Sequence, residues 1–204
     1  MNAFVYVEGG PSGADSKEGT IRCREGFHKL LDRSGFTGRK PRIVPLGGRG
    51  AVYDRFVTEH SAKTGSYVAM WIDSEEPMAN IEAAWDHLEN VTTVDPWSRP
   101  PNTDDDQVLF MTTCMETWIV ADRDTLKAHY GNELQETALP PLFDLEERSR
   151  HDVQKQLIHA TRNCSNAYSK GPRSFEILSK LTPSALEKSL PSFVRVRRIL
   201  NVKL

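Results

Sequence analysis

The sequence predicts an α/β fold: a parallel β-sheet flanked by helices and followed by a mostly helical C-terminal extension. Up to about residue 125, short apolar runs rich in β-branched and aromatic residues alternate with stretches of helical periodicity. Such alternation is typical of a parallel sheet covered by helices, rather than of separate all-α and all-β modules. Beyond that point helical periodicity predominates. We therefore expect one domain over 1–204, with an α/β core over about 1–125 and helices over about 126–204.

Four apolar runs are predicted to form the strands of the sheet. Each has the length of an ordinary strand and is interrupted by glycine or by acidic residues. A run without polar alternation is expected for a strand that is buried on both faces. The predicted strands span 3–8, 42–46, 68–73 and 108–113.

Three helices are expected between these strands. In the first, Phe27, Leu30 and Leu31 share one side of the helix, and Gly35 is a suitable stop. The third has Trp85 in an apolar stripe, and Pro77 suits its first turn. The three predicted helices span 21–34, 52–63 and 77–89.

The C-terminal part has the periodicity of further helices, with a turn over 166–172. The last predicted helix has an apolar face, and Arg195, Arg197 and Arg198 are expected to point largely outward. The helices predicted after the sheet span 124–130, 153–161 and 192–200.

Composition restricts the setting of the protein. Its 204 residues suffice for one core, and the formal net charge of −2 gives no long-range attraction to nucleic acid. The three cysteines lack C-x-x-C spacing, which argues against a zinc site or a disulfide framework. No signal segment or membrane-spanning run is evident, so we expect a cytoplasmic protein without a membrane partner.

Acidic residues end two of the predicted strands and indicate a divalent metal site. Glu8 ends the first strand and Asp73 the third, and parallel strands present their carboxyl ends at one edge of the sheet. Asp73 and Glu75, two positions apart on an extended segment, are expected to face the same way. Carboxylate oxygens favour Mg²⁺ or Mn²⁺.

A metal site is not the only interpretation of these acidic residues. An acidic residue after a strand is also a common helix N-cap, and Glu8 or Asp73 taken singly fits that role. Glu116 stands inside an apolar stretch, where a carboxylate is costly to bury unless it meets a cation or hydrogen-bond donors. It is therefore a third candidate for the site.

Several motifs together resemble an uncharacterised bacterial family of Toprim-like proteins, domain of unknown function family 4276, over nearly the whole chain. The motifs are V-E-G-G at 7–10, G-G-R-G at 47–50, W-I-D-S-E at 71–75, M-E-T-W-I-V-A-D at 115–122 and Y-S-K at 168–170. A Toprim site has one Glu after the first strand and D-x-D after a later one. Glu8 matches the first element. Asp73 and Glu75 match the second, with Glu in place of the second Asp.

The resemblance implies a Toprim-like, Rossmann-like sheet and a Mg²⁺- or Mn²⁺-dependent nuclease acting on DNA or RNA. In the nuclease branch of that superfamily a further Glu completes a second metal site and a Lys assists at the scissile phosphate, and Glu116 and Lys170 match these roles. Related Toprim proteins work with an ABC-type or AAA-type ATPase in bacterial anti-phage defence, which makes such an ATPase a candidate partner.

Phosphate contacts are expected from glycines that allow close backbone approach, and from arginines at the start of the first helix and in the G-G-R-G turn. These candidates are Gly9, Gly10, Arg22, Arg24 and Arg49. For the glycines the commoner use is to turn the chain, and for the arginines it is solvent exposure.

Two other functions compete with the nuclease. The first is a catalytically silent metal-binding or regulatory subunit of an ATPase complex, which the departure from D-x-D and the weak basic footprint favour. The second is a small-molecule phosphohydrolase with Asp73 as nucleophile, which leaves Glu8 without a role.

Overall fold

The computed structural model describes residues 2–9, 16–63 and 65–204. In these ranges four strands form an all-parallel sheet in the order β2-β1-β3-β4. The predicted α/β class, with helices flanking the sheet and continuing through the C-terminal part, is confirmed. The strands are β1 (Ala3–Glu8), β2 (Arg42–Leu46), β3 (Tyr67–Asp73) and β4 (Val108–Met111).

Helices cover both faces of the sheet. Val7 and Trp71 pack into a core shared with α1 and the C-terminal helices, whereas Tyr6 and Met70 pack into a second core with α2 and α3. All seven residues of β3 are buried because it has a strand on either side and helices on both faces. The helices are α1 (Ser16–Leu31), α2 (Arg49–Ala62), α3 (Ala84–Asn90), α4 (Met115–Ala121), α5 (Arg123–Tyr130), α6 (Arg150–Thr161), α7 (Pro172–Leu178), α8 (Pro183–Ser189) and α9 (Pro191–Lys203). None of these helices combines the length and apolarity needed to span a membrane.

The strand order reverses beside β1. The chain leaves β1 toward β2 on one side and then crosses to β3 on the other, so the carboxyl ends of β1 and β3 are neighbours at a topological switch point. Ligands of open parallel sheets bind at such points, because the two diverging connections leave a crevice there. Glu8 and Asp73 are the last residues of these two strands.

The third helix begins later than predicted, so the prediction is wrong for the first half of its range. Helix α3 begins at Ala84, whereas 77–83 forms turns and irregular backbone in place of the helix expected from Pro77. The chain turns sharply just before this segment, where Glu75 adopts a left-handed φ of 71°. Periodicity around Trp85 was a correct guide to the buried face, but it did not report where the helix starts.

Further differences concern the ends of elements and the last helix. Strand β4 stops at Met111, and the apolar stretch that follows is helix α4. Helices α7 and α8 were not predicted. Arg195 does not point outward: its side chain is buried and donates to the backbone oxygens of Val108 and Asp105, at 2.8 Å each. It thereby joins α9 to the sheet.

Candidate functional site

A cleft of about 750 Å³ lies at the carboxyl edge of the sheet, at the switch point. Its walls come from the ends of β1 and β3, the start of α4, the first turns of α1 and the segment that enters α7. Four of the five predicted catalytic residues, Glu8, Asp73, Glu116 and Lys170, line it although they are distant in sequence. The remaining lining residues are Gly9, Glu18, Gly19, Arg22, Gly47, Met111, Met115, Gly171, Arg173, Ser174, Phe175 and Glu176.

Asp73 is buried at the floor of the cleft. Its Oδ1 accepts a hydrogen bond from the backbone N–H of Met115 at 2.9 Å, which ties the carboxylate to the start of α4. Its Oδ2 receives no hydrogen bond from any residue that the structure describes. Burial raises the pKa of Asp73 well above its usual range, and the charges of Glu8 and Glu116 raise it further. Asp73 therefore both anchors a helix terminus and presents an oxygen to the cleft.

Glu8 is partly buried beside Asp73. Its Oε2 is buried and has no hydrogen-bond partner among the described residues. Burial raises the pKa of Glu8, while the positive charges of Lys170, Arg150 and Arg49 partly offset this effect. A buried carboxylate oxygen without a donor is costly, so this site favours a proton or a cation.

Glu116 projects from the first turn of α4 and is almost completely buried. Two donors from other elements stabilise its carboxylate: the hydroxyl of Tyr168 and, at 3.2 Å, the side-chain amide of Gln154. The charge of Glu116 raises the pKa of both Asp73 and Glu8, so its carboxylate lies within electrostatic range of theirs. These hydrogen bonds offset the unfavourable free energy of burying an acidic residue in this apolar stretch.

Glu75 is turned away from the other carboxylates. The expectation that Asp73 and Glu75 face the same way is wrong, because β3 ends at Asp73 and the backbone becomes left-handed at Glu75. The Glu75 side chain forms an ion pair with Arg150 at the start of α6, and it does not line the cleft. The charge of Arg150 also lowers the pKa of Asp73 and Glu8, which places this ion pair close behind the site.

Lys170 lies in the segment between α6 and α7, with its side chain exposed along the cleft. No ion pair joins it to any carboxylate in the part of the chain that the structure describes. Its charge nevertheless lowers the pKa of Glu8 and Asp73. Lys170 is therefore a cation near the carboxylates that remains available to an anionic ligand.

Gly9 has a packing role at the rim of the cleft. Its N–H donates to the carbonyl oxygen of Leu46 at 3.0 Å, and its φ of 134° disfavours any L side chain. A Cβ at this position would overlap the ring of Phe175. Gly9 lines the cleft, and its approach to phosphate stays a prediction, although its own N–H is already engaged by the sheet. Gly10, the other glycine expected to contact phosphate, lies outside the described residues.

Replacing Gly9 by Ala is expected to lower the free energy of unfolding by about 2 kcal/mol, through the strained φ and the overlap with Phe175. Gly47→Ala is the matched control on the same rim, because a Cβ there meets no atom within 4 Å. Urea unfolding of both variants measures the difference. Equal stabilities would contradict the packing role.

The three predicted phosphate-binding arginines differ in placement. Arg22 lines the cleft and forms an ion pair with Glu18 at 2.8 Å. Arg24 donates to the carbonyl oxygen of Ile43 at 3.3 Å and is not among the lining residues. Of the three, only Arg22 reaches the cleft, where Arg173 joins it from α7.

Arg49 lies at the start of α2 and not on the cleft wall. Its guanidinium stacks on the ring of Trp97 at 3.7 Å and donates to the carbonyl oxygen of Asp95 at 2.9 Å. The charge of Glu8 raises the pKa of Arg49 against the larger effect of burial, so the two side chains interact through space. The contacts of Arg49 with Trp97 and Asp95 hold the loop that contains Trp97 against α2, which is a structural role.

The donor set suits a hard divalent cation in its chemistry. Glu8, Asp73 and Glu116 supply carboxylate oxygens, and the buried Oε2 of Glu8 lacks a partner within the described ranges. The described residues contain no group of three or more His, Cys, Asp or Glu side chains arranged to hold a metal ion. The site thus offers the appropriate ligands around one cleft, without the close arrangement of a completed metal centre.

Sequence reasoning missed the residues that support these carboxylates. Tyr168 stood in the Y-S-K motif, but only Lys170 was assigned a role there. Ser174, Gln154 and Arg150 have ordinary positions on helices, and no local pattern distinguishes them. Their relevance arises from tertiary contacts alone.

Comparison with known proteins gives one match. The family model described as Domain of unknown function (DUF4276) matches residues 21–200, a range that includes Asp73, Glu116 and Lys170 but begins after Glu8. No curated protein matches the chain, and no solved structure does. Because the matched range covers most of the 204 residues, the chain belongs to the family of the domain of unknown function DUF4276.

Proposed function

We propose that this protein is a metal-dependent nuclease that hydrolyses phosphodiester bonds of DNA or RNA. The observation that carries the proposal is the convergence of Glu8, Asp73, Glu116 and Lys170 in one cleft at the switch point of a parallel sheet. Three carboxylates beside an unpaired lysine suit a site for a cation together with a phosphate. The Toprim-like character suggested by the sequence motifs is part of this proposal.

The site residues have separate roles in this proposal. Glu8, Asp73 and Glu116 would hold Mg²⁺ or Mn²⁺, and a bound ion of this kind supplies Lewis-acid stabilisation of phosphate charge. Lys170 is exposed and unpaired within the described ranges, so its ammonium group is free to offset charge on the transferring phosphate. Glu75, which the motif assigned to the metal, would support the site from behind through its ion pair with Arg150.

Features around the cleft favour a polymeric substrate over a small phosphate ester. Arg22 and Arg173 line the cleft together with Lys170, and such cations can contact phosphates that flank a scissile bond. The net charge of −2 provides little long-range attraction for nucleic acid. Delivery by an ABC-type or AAA-type ATPase, in a bacterial defence system against phage, would supply what the charge does not.

The nuclease proposal is tested with purified protein and labelled single-stranded DNA, duplex DNA and transfer RNA, each in Mg²⁺, Mn²⁺ or EDTA. We expect cleavage of at least one polymer in Mg²⁺ or Mn²⁺ and none in EDTA, because the proposed chemistry requires a cation held by the carboxylates. Bis(p-nitrophenyl) phosphate serves as the small-ester comparison. Cleavage that persists in EDTA, or turnover of the small ester alone, would contradict the proposal.

One observation favours the catalytically silent subunit as a second candidate. Glu75, the residue that departs from D-x-D, is neutralised by Arg150 and lies off the cleft wall. A site with fewer carboxylates suits retention of one ion better than two-ion catalysis. Measurable Mn²⁺ binding by a folded protein that cleaves none of the polymers, with or without an added ATPase, would establish this alternative.

A further inference from the structure

A buried chain of hydrogen bonds connects Glu116 to the backbone beside Lys170. The hydroxyl of Tyr168 contacts the Glu116 carboxylate on one side and Ser174 Oγ, at 2.8 Å, on the other. Ser174 Oγ also accepts the backbone N–H of Gly171 at 3.2 Å. Tyr168, Ser174 and Glu116 are each at most 5 % exposed, so water does not compete for these contacts.

The direction of each hydrogen bond in this chain follows from the groups involved. An ionised carboxylate only accepts, so the proton of the Tyr168 hydroxyl is directed at Glu116. The phenolic oxygen then accepts from Ser174 Oγ, whose own lone pair accepts from Gly171 N–H. A continuous donor series therefore runs from the Gly171 amide through Ser174 and Tyr168 to the carboxylate.

This chain encloses the segment that contains Lys170. Tyr168 precedes the lysine by two residues and Gly171 follows it directly. The backbone N–H of Tyr168 is fixed by Thr161 Oγ1 of α6 at 3.0 Å. On the other side, Phe175 of α7 packs closely on Gly26 of α1. Both ends of the lysine segment are thus held, and the Tyr168 hydroxyl connects them to the carboxylate wall.

We propose that Tyr168 is a positioning residue that couples the carboxylates to Lys170, so that a cation captured beside Glu116 also orders the lysine segment. The inference rests on the proposed metal-dependent function and adds a regulatory element to the same site. A cation that fixes the Glu116 carboxylate in one position also fixes the acceptor of the Tyr168 hydroxyl, and the series of hydrogen bonds extends this order to Gly171. Groups that orient metal ligands in this way typically change metal affinity when they are removed.

The test compares Tyr168→Phe with Tyr130→Phe. Tyr130 is the matched control because it is also a buried tyrosine, and its hydroxyl has no hydrogen-bond partner within the described ranges. Mn²⁺ affinity is measured by titration, and hydrogen exchange is followed over 166–175 with and without Mn²⁺. We expect Tyr168→Phe to weaken Mn²⁺ binding by a factor on the order of ten, while Tyr130→Phe matches the wild type.

Hydrogen exchange provides the readout that a merely structural role would not produce. In the wild type and in Tyr130→Phe, Mn²⁺ should slow exchange of the Gly171 amide, and in Tyr168→Phe this response to Mn²⁺ should disappear. Ser174→Ala, which breaks the same chain at its next member, should show the same loss with Glu116 still bonded to Tyr168. It serves as the second variant if Tyr168→Phe folds poorly.

Each outcome distinguishes the coupling from the function on which it rests. Wild-type Mn²⁺ binding with an unchanged exchange response in both Tyr168→Phe and Ser174→Ala would overturn the coupling and leave the nuclease proposal intact. A folded wild type that neither binds Mn²⁺ nor cleaves any polymer would overturn both.

Discussion

Asp73→Asn is expected to abolish metal-dependent cleavage, with kcat lower by a factor on the order of a thousand, and yet to fold at least as well as the wild type. The Asn side-chain oxygen can still accept the N–H of Met115, so the start of α4 keeps its anchor. The substitution removes only the charge. The free energy of unfolding at pH 7 should rise by roughly 1 kcal/mol, because a charge that is buried near two other carboxylates is removed.

The direction of this stability change follows from the pKa of Asp73. Because burial and the charges of Glu8 and Glu116 raise that pKa, the ionised carboxylate destabilises the folded state at pH values above it. The stability difference between wild type and Asp73→Asn should therefore shrink as the pH falls and Asp73 becomes protonated. Chemical denaturation over a pH series, together with the cleavage assay, measures both quantities.

Asp86→Asn is the matched control for Asp73. Asp86 is exposed on α3, and no ion pair or side-chain hydrogen bond involves its carboxylate among the described residues. Its replacement should change neither activity nor stability. If Asp73→Asn retained full metal-dependent activity, Asp73 would be no more than a cap for α4.

Glu146 is expected to make the protein less stable as the pH rises from about 4.5 to about 7. Burial raises the pKa of this carboxyl from 4.5 to about 7, even though hydrogen bonds from Ser192 partly offset the effect. Between these pH values the folded state holds a proton that the unfolded chain has released. The free energy of unfolding therefore falls with rising pH, by about 3 kcal/mol in total for this group.

Glu146→Gln removes this titration and should flatten the pH dependence while its amide oxygen still accepts from the N–H of Ser192. Below about pH 4.5 its stability should match that of the wild type, and near pH 7 it should be higher. Glu147→Gln changes an exposed neighbour and should preserve the wild-type slope. Parallel slopes for the wild type and Glu146→Gln would show that Glu146 does not titrate in this range.

Glu146 also illustrates how much of the C-terminal part the sequence left undefined. Ser192 Oγ receives a hydrogen bond from the indole N–H of Trp118 at 3.2 Å and donates in turn to Glu146. This contact joins α4 to the start of α9, which lies far away along the chain. Nothing in the local pattern around Glu146 distinguishes it from the exposed Glu147. Glu146 is buried and Glu147 is exposed because elements distant in sequence cover only Glu146.

The strands and their terminal carboxylates could be predicted because they depend on local properties. Short apolar runs that alternate with stretches of helical periodicity are best explained as strands of a parallel sheet. An acidic residue that ends such a strand must lie at the carboxyl edge of the sheet. Glu8 and Asp73 were placed correctly at that edge by this reasoning alone. Glu116 was a candidate because it is an acidic residue inside an apolar stretch, whereas Lys170 was suggested only by the motif resemblance; both line the same cleft.

The orientation of side chains beyond the strand ends could not be predicted in the same way. Glu75 was expected beside Asp73 from a spacing that holds only while the chain stays extended, and a left-handed residue ended that condition. Its partner Arg150 comes from α6, and Gly9 gives its N–H to β2. In both cases the residue binds a group from a distant segment of the chain, and local spacing does not predict such a contact.

The sequence by itself therefore determined the α/β class, the sheet edge at which a site would form and the carboxylates that end β1 and β3, since hydrophobic periodicity acts over neighbouring residues. Only the tertiary structure decided which carboxylates share the cleft, because burial, ion pairing and hydrogen bonding depend on elements that meet only after folding. The supports from Tyr168, Gln154 and Arg150 are of this second kind, because each comes from a helix or turn that follows the sheet in sequence.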